Sequence, residues 1–381
     1  MDFSWTEEQL SLKAEVIKFA QQELNNDLLD REKNGAFSRE AWKKCAQYGI
    51  QGLSVPEAYG GAGADILTSM LTMEGLGYGC RDNGLIFSIN AQMWSVQHPI
   101  NAFGSEAQKA KYLPGLCRGD LIGAHGMTEP ESGSDAFSLR ARAEKRGNGY
   151  VLNGTKMFVT NAPVADVAVI FATLDRTKGI SGVTAFLVEK GASGFSVSRN
   201  MEKMGLRTSP MGELILDTCC VSMDNRLGPE GAGLSIFNSS MESERSCILA
   251  SHVGAMERQL EVCVRYARER RQFGQPIGKF QSVANRIADM KLRLETARLM
   301  LYKVAWLKKI GKPAIMEAAI AKLYLSECFV QSSQDAIRIH GAFGYMTESE
   351  VERDLRDAIG GTLYSGTSDI QRVIIARWLG L

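Results

Sequence analysis

The sequence predicts an α+β protein in three parts: a helical domain, an antiparallel β domain and a helical bundle. Three observations carry this expectation. Apolar residues recur at helical spacing through residues 1–118. Over 119–230 that spacing gives way to short alternating runs broken by Gly, Asn and Asp. Over 231–381 the helical period returns, in segments long enough to pack as a C-terminal bundle.

The elements follow in order. In TEEQLSLKAEVIKFAQQEL, Leu10, Leu12, Val16, Ile17, Phe19 and Ala20 mark a helix, with Thr6 as its N-cap. SREAWKKCAQYGI gives a second helix, VPEAYGGAGAD a turn, and further helices fit 66–79, 84–102 and 105–118. NGYVLNGTKMFVTN alternates on both sides of Asn153-Gly154, which predicts a tight hairpin there. DVAVIFATLD, GVTAFLVEK, GFSVS and GELILDTCCVSM read as further strands. Helical segments are then expected at 231–270, 281–311, 313–340 and 367–380. In the last, Gly366-Thr367-Ser368 would cap a helix that buries Ile370, Val373, Ile374 and Trp378.

At 381 residues the chain exceeds the usual single domain. Its net charge of +1 offers no broad basic field for nucleic acid and no acidic tail. Eight cysteines without CxxC spacing read as buried thiols of a reducing compartment. Four scattered histidines argue against a His-based metal site, and no metal is expected. The first helix begins without a basic segment and apolar run ahead of it, so no signal peptide is read. No uncharged apolar stretch reaches the roughly 18–20 residues of a membrane span. The expectation is a cytoplasmic protein without a membrane partner.

Three stretches carry polar or charged groups in patterns suited to ligands. HGMTEPESGSD (125–135) offers Thr128, Ser132, Gly133 and Ser134 on a backbone that a ligand can approach closely; alone it also reads as an ordinary polar loop. KMFVTN (156–161) sets Phe158 and Thr160 on one strand face, as a core strand also would. RERRQFGQPIGKFQ (268–281) ends a helix in arginines, which suits the helix dipole or a pyrophosphate equally.

In combination these stretches are more specific. VPEAYGG (55–61), FGSEAQKAKYLPGL (103–116), TEPESGSD (128–135), NGTKMFVTN (153–161), KMGLRTS (203–209), RRQFG (270–274) and YSGTSDIQR (364–372) stand in one order. Order and spacing resemble the acyl-CoA dehydrogenase family of flavoproteins over essentially the whole chain. The resemblance implies the acyl-CoA dehydrogenase fold, one FAD per subunit and a homotetramer. It implies that His125, Gly126, Met127, Thr128, Gly133 and Ser134 meet the flavin ring and the thioester, and that Phe158, Val159 and Thr160 line the isoalloxazine. Arg270, Phe273 and Gln281, with Arg338 and Gly341, would reach the FAD of an adjacent subunit. Thr367 and Ser368 would cap a helix on the pyrophosphate. Two positions depart from the pattern: Arg338 replaces the usual Gln, and Ala342 the second Gly of the following turn.

A third departure concerns the base. Most members carry a catalytic Glu directly before the last Gly-Thr, where this chain has Ser365. A serine hydroxyl is no general base without an activator. On a helix through 239–256, Phe237, Met241, Glu244, Ile248 and Ser251/His252 share one face, and Glu242 points about 200° away from Glu244. The isovaleryl- and long-chain branches place their base on this helix, immediately before an Arg; here that pair is Glu244-Arg245. The resemblance thus makes Glu244 the base that takes the α-proton of a thioester as a hydride leaves the β-carbon. Apolar surroundings should raise its pKa. Arg245, Tyr364, Ser365 and Ser134 would line the substrate pocket.

Within the family, the whole-chain pattern is similar to the branch that oxidises prolyl groups tethered to acyl or peptidyl carrier proteins in natural-product pathways. That implies L-prolyl-carrier protein as substrate. The alternatives are a dehydrogenase of a short branched acyl-CoA and a non-catalytic flavin-containing binding protein.

Overall fold

A computed structural model of the chain describes residues 4–381. The N-terminal part is helical: α1 (Glu7–Glu23), α2 (Leu28–Asn34), α3 (Arg39–Gln47), α4 (Ile66–Gly79), α5 (Asn83–Gln92), α6 (His98–Phe103) and α7 (Glu106–Cys117). Thr6 caps α1 as expected: its hydroxyl accepts from Gln9 N–H while the Gln9 side chain accepts from Thr6 N–H. Ser105 and Gln108 repeat this capping box at α7. Between α5 and α6 the chain runs through a π-helical turn, Met93–Gln97, inside the segment read as one helix at 84–102. Such turns break the regular bond ladder and often stand at functional sites.

The middle part holds β1 (Gly123–Gly126), β2 (Arg142–Arg146), β3 (Gly149–Thr160), β4 (Val167–Thr173), β5 (Val183–Glu189), β6 (Phe195–Val197), β7 (Met211–Ser222) and β8 (Arg226–Leu227). Seven strands run in the order β6-β7-β3-β2-β4-β5-β8. Most pairings are antiparallel, yet the sheet is mixed. β1 runs parallel to β4 over Val167–Ile170, and Arg142 of β2 meets β4 in parallel at Thr173. The short β1 thus occupies the length of β4 that β2 leaves bare. β4 is buried along its whole length. Its odd residues Val167, Val169 and Phe171 join a core with Leu113 and Leu116 of α7. Its even residues Ala168, Ile170 and Ala172 join one with Leu152, Leu214 and Leu216.

The hairpin expected at Asn153-Gly154 is not there. β3 passes straight through that dipeptide, and the β2–β3 reversal lies at Gly147, whose φ is 54°. Gly154 serves a different need. Its register is shifted against β7, its φ is 147°, and a Cβ would stand 2.7 Å from Ala141. Asn153 meanwhile accepts from Thr218 N–H through its side chain. The dipeptide therefore lies opposite a bulge of β7 at Asp217-Thr218, where Thr218 has φ of 54°.

The C-terminal part comprises α8 (Gly233–Cys247), α9 (Ala250–Glu269), a small hairpin of β9 (Arg271–Gln272) and β10 (Gln275–Pro276), α10 (Gln281–Lys309), α11 (Ile315–His340), α12 (Ala342–Tyr345), α13 (Val351–Gly361) and α14 (Ser368–Trp378). The segment expected as one helix over 231–270 breaks at Ile248 and Leu249. α13 had no counterpart in the sequence reading, because its buried face carries Arg353, Asp354 and Asp357 besides Val351 and Ala358. α4 and α9 cross at glycines: a Cβ on Gly77 would lie 2.0 Å from Ser251 O, and one on Gly254 2.0 Å from Glu74 O. One apolar core runs from α1, α4 and α5 into α9, α10 and α11, so both helical parts share it.

Two further expectations need correction. Seven cysteines are buried, but Cys220 on β7 faces outward and is exposed. Thr367 caps α14, accepting from Ile370 N–H at 3.2 Å, yet Val373 and Trp378 lie exposed and Gln371 is the buried residue. Among the described residues no helix is long and apolar enough to cross a membrane, and no cluster of metal-ligating side chains occurs.

Candidate active site

Glu244 lies in the last turn of α8, on the inward face, while Glu242 points outward to Lys308 at 2.9 Å. The helical period alone separates these two carboxylates. Both Glu244 oxygens are engaged. Ser365 Oγ donates to Oε1 at 2.5 Å, and Ser95 Oγ donates to Oε2. Burial pushes the Glu244 carboxyl above its ordinary value; the Ser365 and Ser95 hydroxyls, then Arg245 and Lys322, act in the opposite sense.

Two unusual backbone conformations bring those hydroxyls in. Ser95 sits in the π-helical turn. Ser365 has φ of 55°, a left-handed conformation that a non-glycine residue adopts at a cost. Its carbonyl is fastened from two sides, by Arg245 Nε at 3.2 Å and Gln371 Nε2 at 3.2 Å. Gln371 also donates to Gly366 O at 2.8 Å. The sequence reading of Ser365 as a residue with no partner nearby changes here, since its hydroxyl donates to the Glu244 carboxylate. Ser95 was missed: it stands 149 residues before Glu244, and no local pattern links them.

Tyr364, Phe87 and His252 pack together beside this carboxylate. The Tyr364 ring lies 4.6 Å from that of Phe87, and its hydroxyl meets His252 Nε2 at 2.9 Å. Burial, reinforced by Lys322, brings the His252 imidazole down to about 4, so it is neutral near pH 7. Burial and the nearby Glu244 raise the Tyr364 phenol. Lys322 on α11 is fully buried, and its Nζ has no hydrogen-bond partner among the described residues. Burial and then Arg245 lower it to about 7.

The residues expected to meet a flavin ring divide. Met127 and Thr128 follow β1, and Thr128 O accepts from Met157 N–H at 2.8 Å. Phe158 stands in a bulge of β3 itself, between Lys156 and Val159, with φ of 55° and 58 % of its surface exposed. Thr160 is half-buried two residues on. The bulge breaks the simple alternation read for Phe158 and Thr160. Val159 turns into the core, so its side chain lines no site. His125 likewise turns inward, 5.3 Å from the Phe171 ring, and its Nε2 has no partner among the described residues. Gly126 is buried against Ile170 and Lys156, while Gly133 and Ser134 lie exposed.

A buried ion pair holds this loop. Lys156 Nζ meets Glu129 Oε1 at 2.7 Å, and Glu129 also accepts from Ala141 N–H at 3.0 Å. Neither residue was singled out in the sequence, although both lie inside its motifs.

The remaining expected residues stand on other surfaces. Arg270, Phe273 and Gln281 are exposed around the β9–β10 hairpin, Phe273 with 93 % of its surface. Arg338 reaches Asp335 at 3.5 Å, and Gly341 ends α11 with φ of 63°. Thr367 caps α14, and the buried Ser368 hydroxyl beside it has no partner among the described residues.

Known proteins are similar to this chain along its length. The chain is 42% identical, over the full length of both, to an L-prolyl-[peptidyl-carrier protein] dehydrogenase of Pseudomonas fluorescens. It superposes on the crystal structure of the prolyl acyl carrier protein oxidase AnaB with a TM-score of 0.98 and 53% identity, covering 99% of this chain and 100% of that one. The structure of PigA with FAD and proline matches at a TM-score of 0.98 and 42% identity, with both chains fully covered. Three models of the acyl-CoA dehydrogenase family match in sequence order: the N-terminal domain over residues 6–120, the middle domain over 124–219 and the C-terminal domain over 231–380. The chain belongs to the acyl-CoA dehydrogenase family.

Proposed function

We propose that the chain oxidises an L-prolyl group, held as a thioester on the phosphopantetheine arm of a carrier protein, to a dehydroprolyl thioester in natural-product biosynthesis. The observation that carries this reading is the Glu244 carboxylate on α8, held by two serine hydroxyls where most family members place the base on the last loop. The full-length likeness to prolyl-carrier dehydrogenases supports the substrate.

FAD is the cofactor of this reading, and the residues fit it. Phe158 holds its exposed ring on a strand bulge at a left-handed φ, a conformation that costs a bulky residue free energy and suits a ring kept for a flat ligand. The buried Ser368 hydroxyl at the start of α14, without a partner among the described residues, suits a phosphate oxygen. Phe158, Thr160, Met127 and Thr128 would hold the ring end; Thr367 and Ser368 would hold the pyrophosphate. Bound FAD supplies the two-electron acceptor.

The chain's own chemistry is proton transfer. Glu244 takes the α-proton, and its raised pKa makes it a stronger base than an exposed carboxylate. Neutral His252 and the Tyr364 hydroxyl give the pocket wall a polar edge without adding charge. Arg245 secures the loop that carries Ser365.

The homotetramer belongs to this proposal, with Arg270, Phe273, Gln281, Arg338 and Gly341 offered to a neighbouring subunit. Exposed Phe273, Leu292, Leu299, Phe343 and Tyr345 are apolar surface that such an assembly would cover. A cytoplasmic location is part of the same reading, supported by eight unpaired cysteines. The test is anaerobic bleaching of the flavin absorbance by prolyl-carrier protein and by isovaleryl-CoA. Bleaching by the carrier-bound prolyl thioester alone is expected. Bleaching by the CoA ester alone would move the chain to the short branched acyl-CoA dehydrogenases, and bleaching by neither would favour a binding protein.

A further inference from the structure

We propose that Ser95 and Ser365 are positioning residues whose hydroxyls aim the Glu244 carboxylate at the substrate and keep it ionised. The inference rests on the reading of Glu244 as the base. It adds Ser95, from a different domain and a different stretch of sequence, to the catalytic apparatus.

Three observations carry it. First, each carboxylate oxygen accepts one hydroxyl, so the group is fixed from both sides with lone pairs left over for the incoming proton. Second, both serines stand on irregular backbone. A π turn presents Ser95, and a left-handed φ presents Ser365; neither conformation is needed to continue its element. Third, the Ser365 conformation is over-determined by Arg245 and Gln371, which tie its carbonyl. Irregular backbone from two distant segments converging on one carboxylate is the signature of a built site.

The surrounding charges act on Glu244 without a hydrogen bond, and among the described residues the hydroxyls alone touch its oxygens. Facing Glu244 are Arg245 of α8, Lys322 of α11 and the Tyr364 phenol. Arg245 spends its Nε on Ser365 O, and Lys322 Nζ makes no hydrogen bond among the described residues. His252 of α9 is occupied by Tyr364, and His98 of α6 by Ser239 at 3.0 Å. Lys308 of α10 is held by Glu242, and Glu189 of β5 by Lys111 and Tyr112. α5 and the π turn contribute no charge. A buried carboxylate without a direct cationic partner depends on hydroxyl donors to stay ionised.

The test compares wild type with Ser95→Ala and Ser365→Gly, the latter chosen because glycine accepts the left-handed φ. Removing a donor to the carboxylate raises its pKa. The acid limb of the flavin-reduction rate with prolyl-carrier protein should therefore move to higher pH by about one unit in each variant. Ser95→Thr, which keeps the hydroxyl, should return the limb toward its wild-type position. In the protein without cofactor, pH-difference infrared spectra should show the same upward shift in the carboxylic-acid C=O band that Glu244→Gln abolishes. A rate lowered equally at every pH, with limb and band unmoved, would overturn the inference and leave the serines a packing role. Undiminished bleaching by Glu244→Gln would instead overturn the base reading itself, and the inference with it.

Discussion

Replacing Glu244 by Gln keeps the volume of the side chain and removes one thing, the ability to take a proton. The surroundings tolerate the change. Ser365 still donates to the amide oxygen, and Ser95 can turn its hydroxyl to accept from the amide nitrogen, so the side chain keeps a partner on each side. No other carboxylate takes over. Asp357, the other acidic group coupled to Tyr364, is committed to Leu206 N–H and Asn83. With the carboxylate gone, the Ser365 hydroxyl faces an amide and has no activator. Base catalysis is worth about 10²–10⁴-fold, and the absence of a substitute puts the expected loss in flavin-reduction rate at the upper end, roughly 10⁴-fold. At 1.36 kcal/mol per tenfold this is about 5 kcal/mol of barrier. Stability should move the other way. The folded-state pKa of Glu244 is raised above its ordinary 4.5, so the wild type binds its proton more tightly when folded. That stabilising contribution is full below pH 4.5 and is lost as pH rises through the folded pKa. The amide has no such dependence, so Tm of Glu244→Gln minus wild type should grow more positive from about pH 4.5 upward. Stopped-flow bleaching and thermal scans across pH check both halves. A variant that bleaches at the wild-type rate, with its flavin retained, would refute the assignment of the base.

Lys156→Met should destabilise the fold by about 3–5 kcal/mol in urea titrations, because it leaves Glu129 charged and buried with backbone N–H donors alone. Gly77→Ala should cost about 3 kcal/mol or more, since its Cβ would meet Ser251 O at 2.0 Å at a helix crossing where neither backbone can yield; soluble yield and urea midpoint read this. Phe158→Gly should leave the Tm of the cofactor-free protein unchanged or raised, as glycine suits φ of 55° and the ring is exposed, while flavin lost on gel filtration rises at least tenfold. Unaltered flavin retention would remove Phe158 from the proposed ring site.

What the sequence made legible was local. Helical spacing located most helices, the Thr6 cap and the opposite directions of Glu242 and Glu244, because a 3.6-residue period is a property of neighbours along the chain. Turn chemistry was less faithful. Asn153-Gly154 has hairpin composition, but the demand for a residue without Cβ beside Ala141 comes from the segment that leads into the neighbouring strand β2. α13 stayed hidden because Arg353, Asp354 and Asp357 are paired and buried, which inverts the polar-outside pattern that periodicity depends on. Ser95 lay out of reach for the same reason: its meaning is fixed by a carboxylate contributed from another domain.

Glu244 as the proposed base on α8 gives the shape of the last loop a reason. A carboxylate carried directly on that loop would need only the loop's own geometry to be aimed. Once it sits on α8, the position before Gly366 is free of acid–base duty, yet Ser365 still holds a left-handed φ secured by Arg245 and Gln371. A conformation that costs free energy persists when the structure around it over-determines it and uses it. Here the use is to turn a hydroxyl onto Glu244, with Arg245, next in the helix, tying loop and helix into one unit. Ser95 extends that unit across the shared core into the N-terminal helices. Closure of the base site thus requires the π turn, α8 and the last loop to be seated at once. A prolyl thioester would therefore meet an ionised, aimed carboxylate only in the fully assembled fold.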